Sequence, residues 1–234
     1  MAFWSVLLKL SIMNSKKETF QNWNKIADLY ESKFMDLDIY NQTYDYFLDL
    51  IIVEEPRILE VGCGPGNITK YLLSKSKQSQ ILAIDVAPRM IELAKKNTDF
   101  DNRSDAVVSF EVMDCRKVSE IETKFDAILV GFCLPYLSIE ETTTFVGDCS
   151  NLLNDNGVFY LSFVEGKHLD SGIQVGSSGV RIFFYFHELR AIENILIQNH
   201  FENIIVQKVS YERSSSHTEI HTIVTCRKAV SSQL

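Results

Sequence analysis

The chain has 234 residues, 46% of them hydrophobic, with 10 glycines and 4 prolines, which allows one substantial core and excludes fibrous and low-complexity classes. A formal net charge of −8 leaves no basic surplus to neutralise a polyphosphate backbone, so nucleic acid is not the expected partner. The five cysteines, Cys63, Cys115, Cys133, Cys149 and Cys226, are odd in number and never form a CxxC pair. That pattern fits free thiols in a reducing cytoplasm better than a disulfide framework or a zinc site.

The opening MAFWSVLLKL is apolar but lacks a basic flank and a small-residue cleavage site, and it is too short to span a membrane. A functional start at Met13, with the preceding residues as an extra tail, is the alternative left open. Next, Phe20, Trp23, Ala27, Tyr30 and Phe34 recur at three- and four-residue spacing, the stripe of an amphipathic helix. A second helix is expected over Thr43 to Val53, so residues 14–53 form an N-terminal helical cap.

Then RILEV, QILAID, VVSFEVMD and FDAILVGF follow as short runs rich in Ile, Leu and Val. Runs without alternation imply strands covered on both faces, the mark of a parallel sheet. Glu140 to Leu153 reads as a helix with NDNG as its stop, and GVFYLSFV as a fifth strand. GKHLDSGIQVGSSG has no periodicity and is long for a connection, which suggests a lid. RIFFYF is a further apolar run, HELRAIENILIQNH a helix, and ENIIVQKVSYE and SHTEIHTIVTCRK two strands. Only a short polar turn joins these last two, so they must pair antiparallel. The expected fold class is α/β: a doubly wound, mostly parallel seven-stranded sheet with a C-terminal antiparallel strand and helices on both faces. Residues 1–228 make one domain, and 229–234 a tail.

The first run ends in EVGCGPG. Its glycines, Gly62, Gly64 and Gly66, have GxGxG spacing rather than the GxGxxG of dinucleotide folds. Glu60 stands two residues before the first glycine, where a carboxylate would repel a pyrophosphate and suit an ammonium or hydroxyls. No lysine followed by Ser or Thr opens the next helix, which excludes a triphosphate-cradling loop. The second strand ends in Asp85, placed to accept both hydroxyls of a ribose. The third ends in Asp114, placed to accept from an adenine amino group. The competing explanation is that each acid caps the following helix.

EVGCGPG, AIDVAPRMIELAKK and VMDCRKV together resemble the seven-stranded, class I S-adenosylmethionine-dependent methyltransferases, the small-molecule type. The resemblance covers roughly Trp23 to Lys228 and is strongest from Arg57 to Leu137. It implies S-adenosylmethionine as cofactor and S-adenosylhomocysteine as product. It places the glycine turn at Gly62, Cys63 and Gly64 near the methionine part, Asp85 at the ribose, Val86 and Met90 beside adenine, and Asp114 at its amino group. Tyr30 on the N-terminal helix, Glu60, Cys115 and Phe132 complete the expected cofactor-binding set. Trp23 serves the same lid or the core.

After the fourth strand, GFCLPYLS lacks the Asn or Asp followed by Pro-Pro and an aromatic that marks enzymes acting on nucleobase or glutamine nitrogens. An unidentified small-molecule acceptor is therefore expected, with no nucleic-acid or membrane partner and a monomer or homodimer both open. Alignment and desolvation can drive such a displacement without an obligatory base, so no catalytic residue is assigned. If a hydroxyl is the acceptor, Glu165, His168, His187, His217 and His221 are the candidates, each with a structural reading beside it. Cys115 and Cys133 admit a thiol-chemistry reading beside that of apolar fillers. A cofactor-binding regulatory protein without turnover is the alternative function. A nicotinamide-dependent oxidoreductase is disfavoured by the GxGxG spacing and Glu60.

Overall fold

The computed structural model describes residues 17–75, 78–99, 106–176, 179–214 and 217–230. Helical residues 17–25 (α1) run into α2 (Ala27–Phe34) and, after a turn, α3 (Asn41–Asp49). Strands and helices then alternate: β1 (Arg57–Val61), α4 (Asn67–Lys75), β2 (Gln80–Asp85), α5 (Pro88–Thr98), β3 (Val107–Val112), β4 (Phe125–Val130), α6 (Ile139–Leu152) and β5 (Leu153–Val164). A hairpin, β6 (Gly172–Val175) and β7 (Arg181–Phe184), precedes α7 (Leu189–Gln198), β8 (Phe201–Ser214) and β9 (His217–Lys228).

The main sheet has seven strands in the order β3-β2-β1-β4-β5-β9-β8. β1 to β5 pair in parallel, and β9 lies antiparallel between β5 and β8. This is the expected sheet with its C-terminal antiparallel strand. The direction of strand succession reverses at β1, between β2 and β4, and a doubly wound sheet opens a crevice at that point beyond its carboxyl ends.

Helices cover both faces of β1, β2 and β4, which is why those runs do not alternate; the edge strand β3, expected to be covered likewise, instead alternates between exposed and half-buried residues from Val107 to Phe110. Leu59, Val61, Ile128, Val130 and Phe159 pack on one face with Phe145 of α6 and Ile192 of α7. Ile58, Ile81, Ala83, Leu129 and Tyr160 pack on the other with Phe47 of α3, Leu72 of α4 and Ala94 of α5. The start of α6 is fixed by a capping box. Ser138 Oγ accepts from the Glu141 amide, and the Glu141 carboxylate accepts from the Ser138 amide at 2.9 Å.

Three further expectations change. α3 covers Asn41–Asp49 rather than Thr43 to Val53, because the β-branched Ile51, Ile52 and Val53 and the approach to Pro56 disfavour helix. NDNG is not a clean stop: β5 already begins at Leu153, opposite Phe125, and the extra residues are taken up by a register shift before Ala127 meets Val158. Asn156 there sits at φ 62. The segment expected as an aperiodic loop contains β6, which pairs antiparallel with β7 from Gly172↔Phe184 to Val175↔Arg181. Residues 1–16 and the end of the tail, 231–234, lie outside the described residues.

Candidate active site

At the end of β1 the chain makes a tight turn and enters α4. Gly62 sits at φ +75, and a Cβ there would lie 2.3 Å from Cys133 Sγ and 3.0 Å from the Gly131 carbonyl oxygen. Only a residue without a side chain accepts that backbone at that distance. The Gly62 and Cys63 amides both donate to the Ile84 carbonyl, at 2.8 and 3.0 Å. The Gly64 amide donates to Asp85 Oδ2 at 3.0 Å. All three N–H groups are thus committed within the protein and are not free to face a pyrophosphate. A dinucleotide site needs free amides at this turn.

Asp85 closes β2, and its Oδ1 accepts from the Ala87 amide at 2.9 Å. Burial pushes its pKa up, and the amides of Ala87, Gly64 and Val86 partly offset that. Three backbone amides leave the carboxylate acceptor capacity for a ligand hydroxyl. Val86 and Met90, where α5 begins, stand beside it.

These groups line a cleft of about 780 Å3, open to solvent, whose wall contains Tyr30, Gly62, Gly64, Asp85, Val86 and Met90 from the first half of the chain. Asp114, Cys115 and Phe132 line it from the second half.

Two expected contacts fall outside the cleft. Glu60 is fully buried beneath it and accepts from Thr69 Oγ1 at 2.6 Å. Its other oxygen, Oε1, has no hydrogen-bond partner among the described residues. β1 is covered on both faces, so its alternation turns Glu60 into the core under α4 instead of toward the opening. Burial raises its pKa to about 8, with the Thr69 hydrogen bonds opposing and Asp85 reinforcing the shift. Cys63, 1% exposed, packs into the same core.

Asp114 lines the cleft but is already engaged. It caps the following 3-10 turn, Cys115–Glu120, by accepting from the Arg116 amide at 3.1 Å. It also takes the Arg116 guanidinium at 2.5 Å. The capping explanation therefore applies to this acid, and any ligand amino group would share its carboxylate with Arg116. Arg116 further reaches Glu141 at 3.3 Å and lies over the Phe20 ring at 5.0 Å. Arg116, Phe20 and Tyr136 are lining residues that sequence reasoning missed. The Asp114 and Arg116 spacing of two residues was the available signal.

Phe132 follows β4 at φ 52, a rare conformation for a bulky residue. Its amide donates to Ser162 Oγ on β5 at 3.1 Å, which pins the turn. Cys133 Sγ donates to the Val61 carbonyl at 3.4 Å, and the neighbouring Cys115 thiol together with burial pushes its own thiol well above the usual range. This favours the filler reading over a reactive thiolate.

The roof is aromatic. Trp23 of α1 meets Tyr30 edge-on at 5.5 Å and Tyr136 at 5.7 Å. The Thr19 hydroxyl accepts from the Phe183 amide at 3.0 Å, and the Asn22 side chain donates to the Arg181 carbonyl at 2.8 Å. The hairpin that replaces the expected lid loop is thereby docked on the N-terminal cap. On the other side, Asp28 of α2 pairs with Arg89 of α5 at 2.6 Å.

Among the candidate bases, His187 does not cap α7. Its Nε2 sits 3.0 and 3.1 Å from the Leu134 and Leu137 carbonyls and holds the turn after β4. Glu165 pairs with Lys208 and accepts from Thr222 at 3.2 Å. His168 lies in an exposed 3-10 turn. The His217 side chain lies outside the described residues, and His221 is buried against Tyr40.

Residues 58–157 match the methyltransferase domain family. Over those residues the chain resembles the class I S-adenosylmethionine-dependent methyltransferases. It is 33% identical over 129 residues to the malonyl-[acyl-carrier protein] O-methyltransferase of Priestia megaterium, covering 54% of this chain and 43% of that one. It is 25% identical over 183 residues to the tRNA N(3)-methylcytidine methyltransferase trm140 of Schizosaccharomyces pombe, covering 71% and 60%. The chain spans about half the length of the curated relatives it matches. Among solved structures, the N-methyltransferase NodS of Bradyrhizobium japonicum WM9, in complex with S-adenosyl-L-homocysteine, shares the fold. Its TM-score is 0.63 at 17% identity, with 90% of this chain and 98% of that chain covered.

Proposed function

We propose that this chain transfers the methyl group of S-adenosylmethionine to a small-molecule acceptor. The observation that carries this reading is the glycine turn, whose Gly62, Cys63 and Gly64 amides are committed within the protein while Asp85 lines the cleft with acceptor capacity left for a ligand. Such a turn suits a nucleoside with a compact, zwitterionic tail and not a pyrophosphate.

In this reading Asp85 takes the ribose hydroxyls, Val86 and Met90 flank the adenine, and Asp114 with Cys115 meets its edge. Gly62 and Gly64 give the methionine part close approach, and Tyr30 and Phe132 wall in the sulfonium. Glu60 and Cys63 support the turn from below. The cofactor supplies an electrophilic methyl group on positive sulfur. The protein's part is alignment and exclusion of water by the Trp23, Tyr30 and Tyr136 rings.

The docked hairpin and cap narrow the approach, which supports a small acceptor over a folded nucleic acid, as does the net charge of −8. All five cysteines are free and four of them are buried, which supports a cytoplasmic setting. No helix among the described residues is long and apolar enough to cross a membrane.

The test is transfer of radiolabelled methyl from S-adenosylmethionine to a panel of small alcohols, phenols, carboxylic acids, amines and thiols, with bulk tRNA as the contrast. Label in a small product supports the reading. Label confined to tRNA, or tight cofactor binding with no turnover across the panel, opposes it. Asp85→Ala is expected to weaken S-adenosylhomocysteine binding about tenfold, roughly 1.4 kcal/mol, as read by calorimetry.

A further inference from the structure

Beside Phe132, three polar groups form a line that the cofactor reading does not use. The Tyr40 hydroxyl lies 2.6 Å from His221 Nδ1, although 181 residues separate them. Glu219 Oε2 lies 3.5 Å from His221 Nε2, an ion-pair distance longer than a full hydrogen bond, and Arg213 holds Glu219 at 2.5 Å. The carboxylate at Nε2 assigns the ring proton to that nitrogen, so Nδ1 accepts from Tyr40.

His221 belongs to β9 and pairs with Val164, the last residue of β5. It therefore sits at the carboxyl edge of the parallel strands, the edge that carries the cleft. The Phe132 ring, part of the cleft wall, is 5.0 Å from the His221 ring and 5.6 Å from the Tyr40 ring. Tyr211 stacks on His221 at 5.1 Å, Phe34 meets Tyr211 at 6.1 Å, and Tyr30 meets Phe34 at 4.4 Å. Tyr30, Phe34, Phe132 and Tyr211 are all partly exposed, whereas Tyr40 and His221 are buried. Phe132 and Tyr211 thus flank a buried hydrogen-bonded pair, and Phe34 and Tyr30 continue the row of half-exposed rings from Tyr211 back to the cleft.

We infer that this aromatic mouth seats a planar hydroxyl acceptor, a phenol or a compound of similar shape, and that Tyr40 receives its proton through a relay to His221 and Glu219. The inference rests on the methyltransferase reading. The acceptor's O–H bond breaks and its proton passes to the Tyr40 oxygen. Tyr40's own proton moves to Nδ1, leaving an imidazolium beside the Glu219 carboxylate. The electron pair freed on the acceptor oxygen forms the new bond to the methyl carbon, and the pair of the broken S–C bond stays on sulfur. Tyr40 is the catalytic residue; His221 and Glu219 are positioning residues that act through it.

The groups facing His221 are Tyr40 ahead of α3, Tyr211 on β8 and Glu219 on β9, with Arg213 of β8 on the outer side of Glu219. Burial lowers the His221 pKa, with Glu219 opposing, so the ring is neutral and able to accept at neutral pH.

The probe is 4-nitrophenol, whose phenolate absorbs visible light and whose phenol does not, titrated into the S-adenosylhomocysteine-loaded protein below the phenol's own pKa. The expected result is a phenolate band for the bound probe. Tyr40→Phe and His221→Gln should remove that band and weaken binding about tenfold, with S-adenosylhomocysteine affinity unchanged. Probe bound as neutral phenol, equal binding by both variants, or no probe binding to loaded protein would overturn the relay. Failure of S-adenosylhomocysteine itself to bind would instead overturn the reading on which the relay rests.

Discussion

Gly62→Ala is expected to destabilise the fold by about 2–5 kcal/mol and to weaken S-adenosylhomocysteine binding by more than tenfold. Two costs combine. The backbone at φ +75 is strained for any residue with a Cβ, and the added methyl would lie 2.3 Å from Cys133 Sγ. The sulfur cannot retreat easily, because it is packed among Val61, Gly131 and Cys115. Cys133→Ala in the same background should recover part of the stability, since it removes the clashing atom but not the backbone strain. Urea unfolding of the single and double variants measures both terms. Equal midpoints for Gly62→Ala and the parent would refute the steric argument.

A second large effect is expected at Glu60. Its folded pKa of about 8 stands above the ordinary 4.5, so between those values the folded chain binds a proton that the unfolded chain has released. Stability therefore falls as pH rises through this window, and the full penalty is reached above about pH 8. Its size is on the order of 3–5 kcal/mol. Glu60→Gln keeps the shape of the protonated acid and an acceptor for Thr69 Oγ1, but has no charge to bury. The variant should match the parent near pH 4 and exceed it in stability at pH 8. Unfolding midpoints at the two pH values decide the matter, and parallel pH profiles for parent and variant would contradict it.

Glu60 also shows where the sequence stops being legible. RILEV, QILAID and FDAILV could be recognised as parallel strands because burial on both faces removes alternation. The same absence hides which face each residue takes, so the acid before the glycine turn was assigned to the opening when it points under α4. Asp85 was legible because it ends its strand, where the carboxyl edge dictates its surroundings. Asp114 was legible as a cleft residue, but its pairing with Arg116 depends on the local 3-10 turn.

The β6–β7 hairpin escaped notice for another reason. β6 has four residues, begins with glycine and is mostly exposed, so neither period nor composition marks it. Its function as a clamp depends on Thr19 and Asn22, more than 150 residues earlier. The Tyr40 and His221 contact is equally remote in sequence and exists only because β9 is inserted beside β5. Local patterns carry the strands and the turn; the groups brought together by the sheet order had to be seen in space.

The most direct test of the cofactor assignment is a pair of calorimetric titrations of the intact chain, one with S-adenosylhomocysteine and one with NAD. Saturable binding of S-adenosylhomocysteine at one site per chain, with a Kd in the micromolar range and no heat from NAD, is the expected result. NAD binding without S-adenosylhomocysteine binding would contradict it, because the Gly62, Cys63 and Gly64 amides are committed to Ile84 and Asp85 and are not free to hold a pyrophosphate.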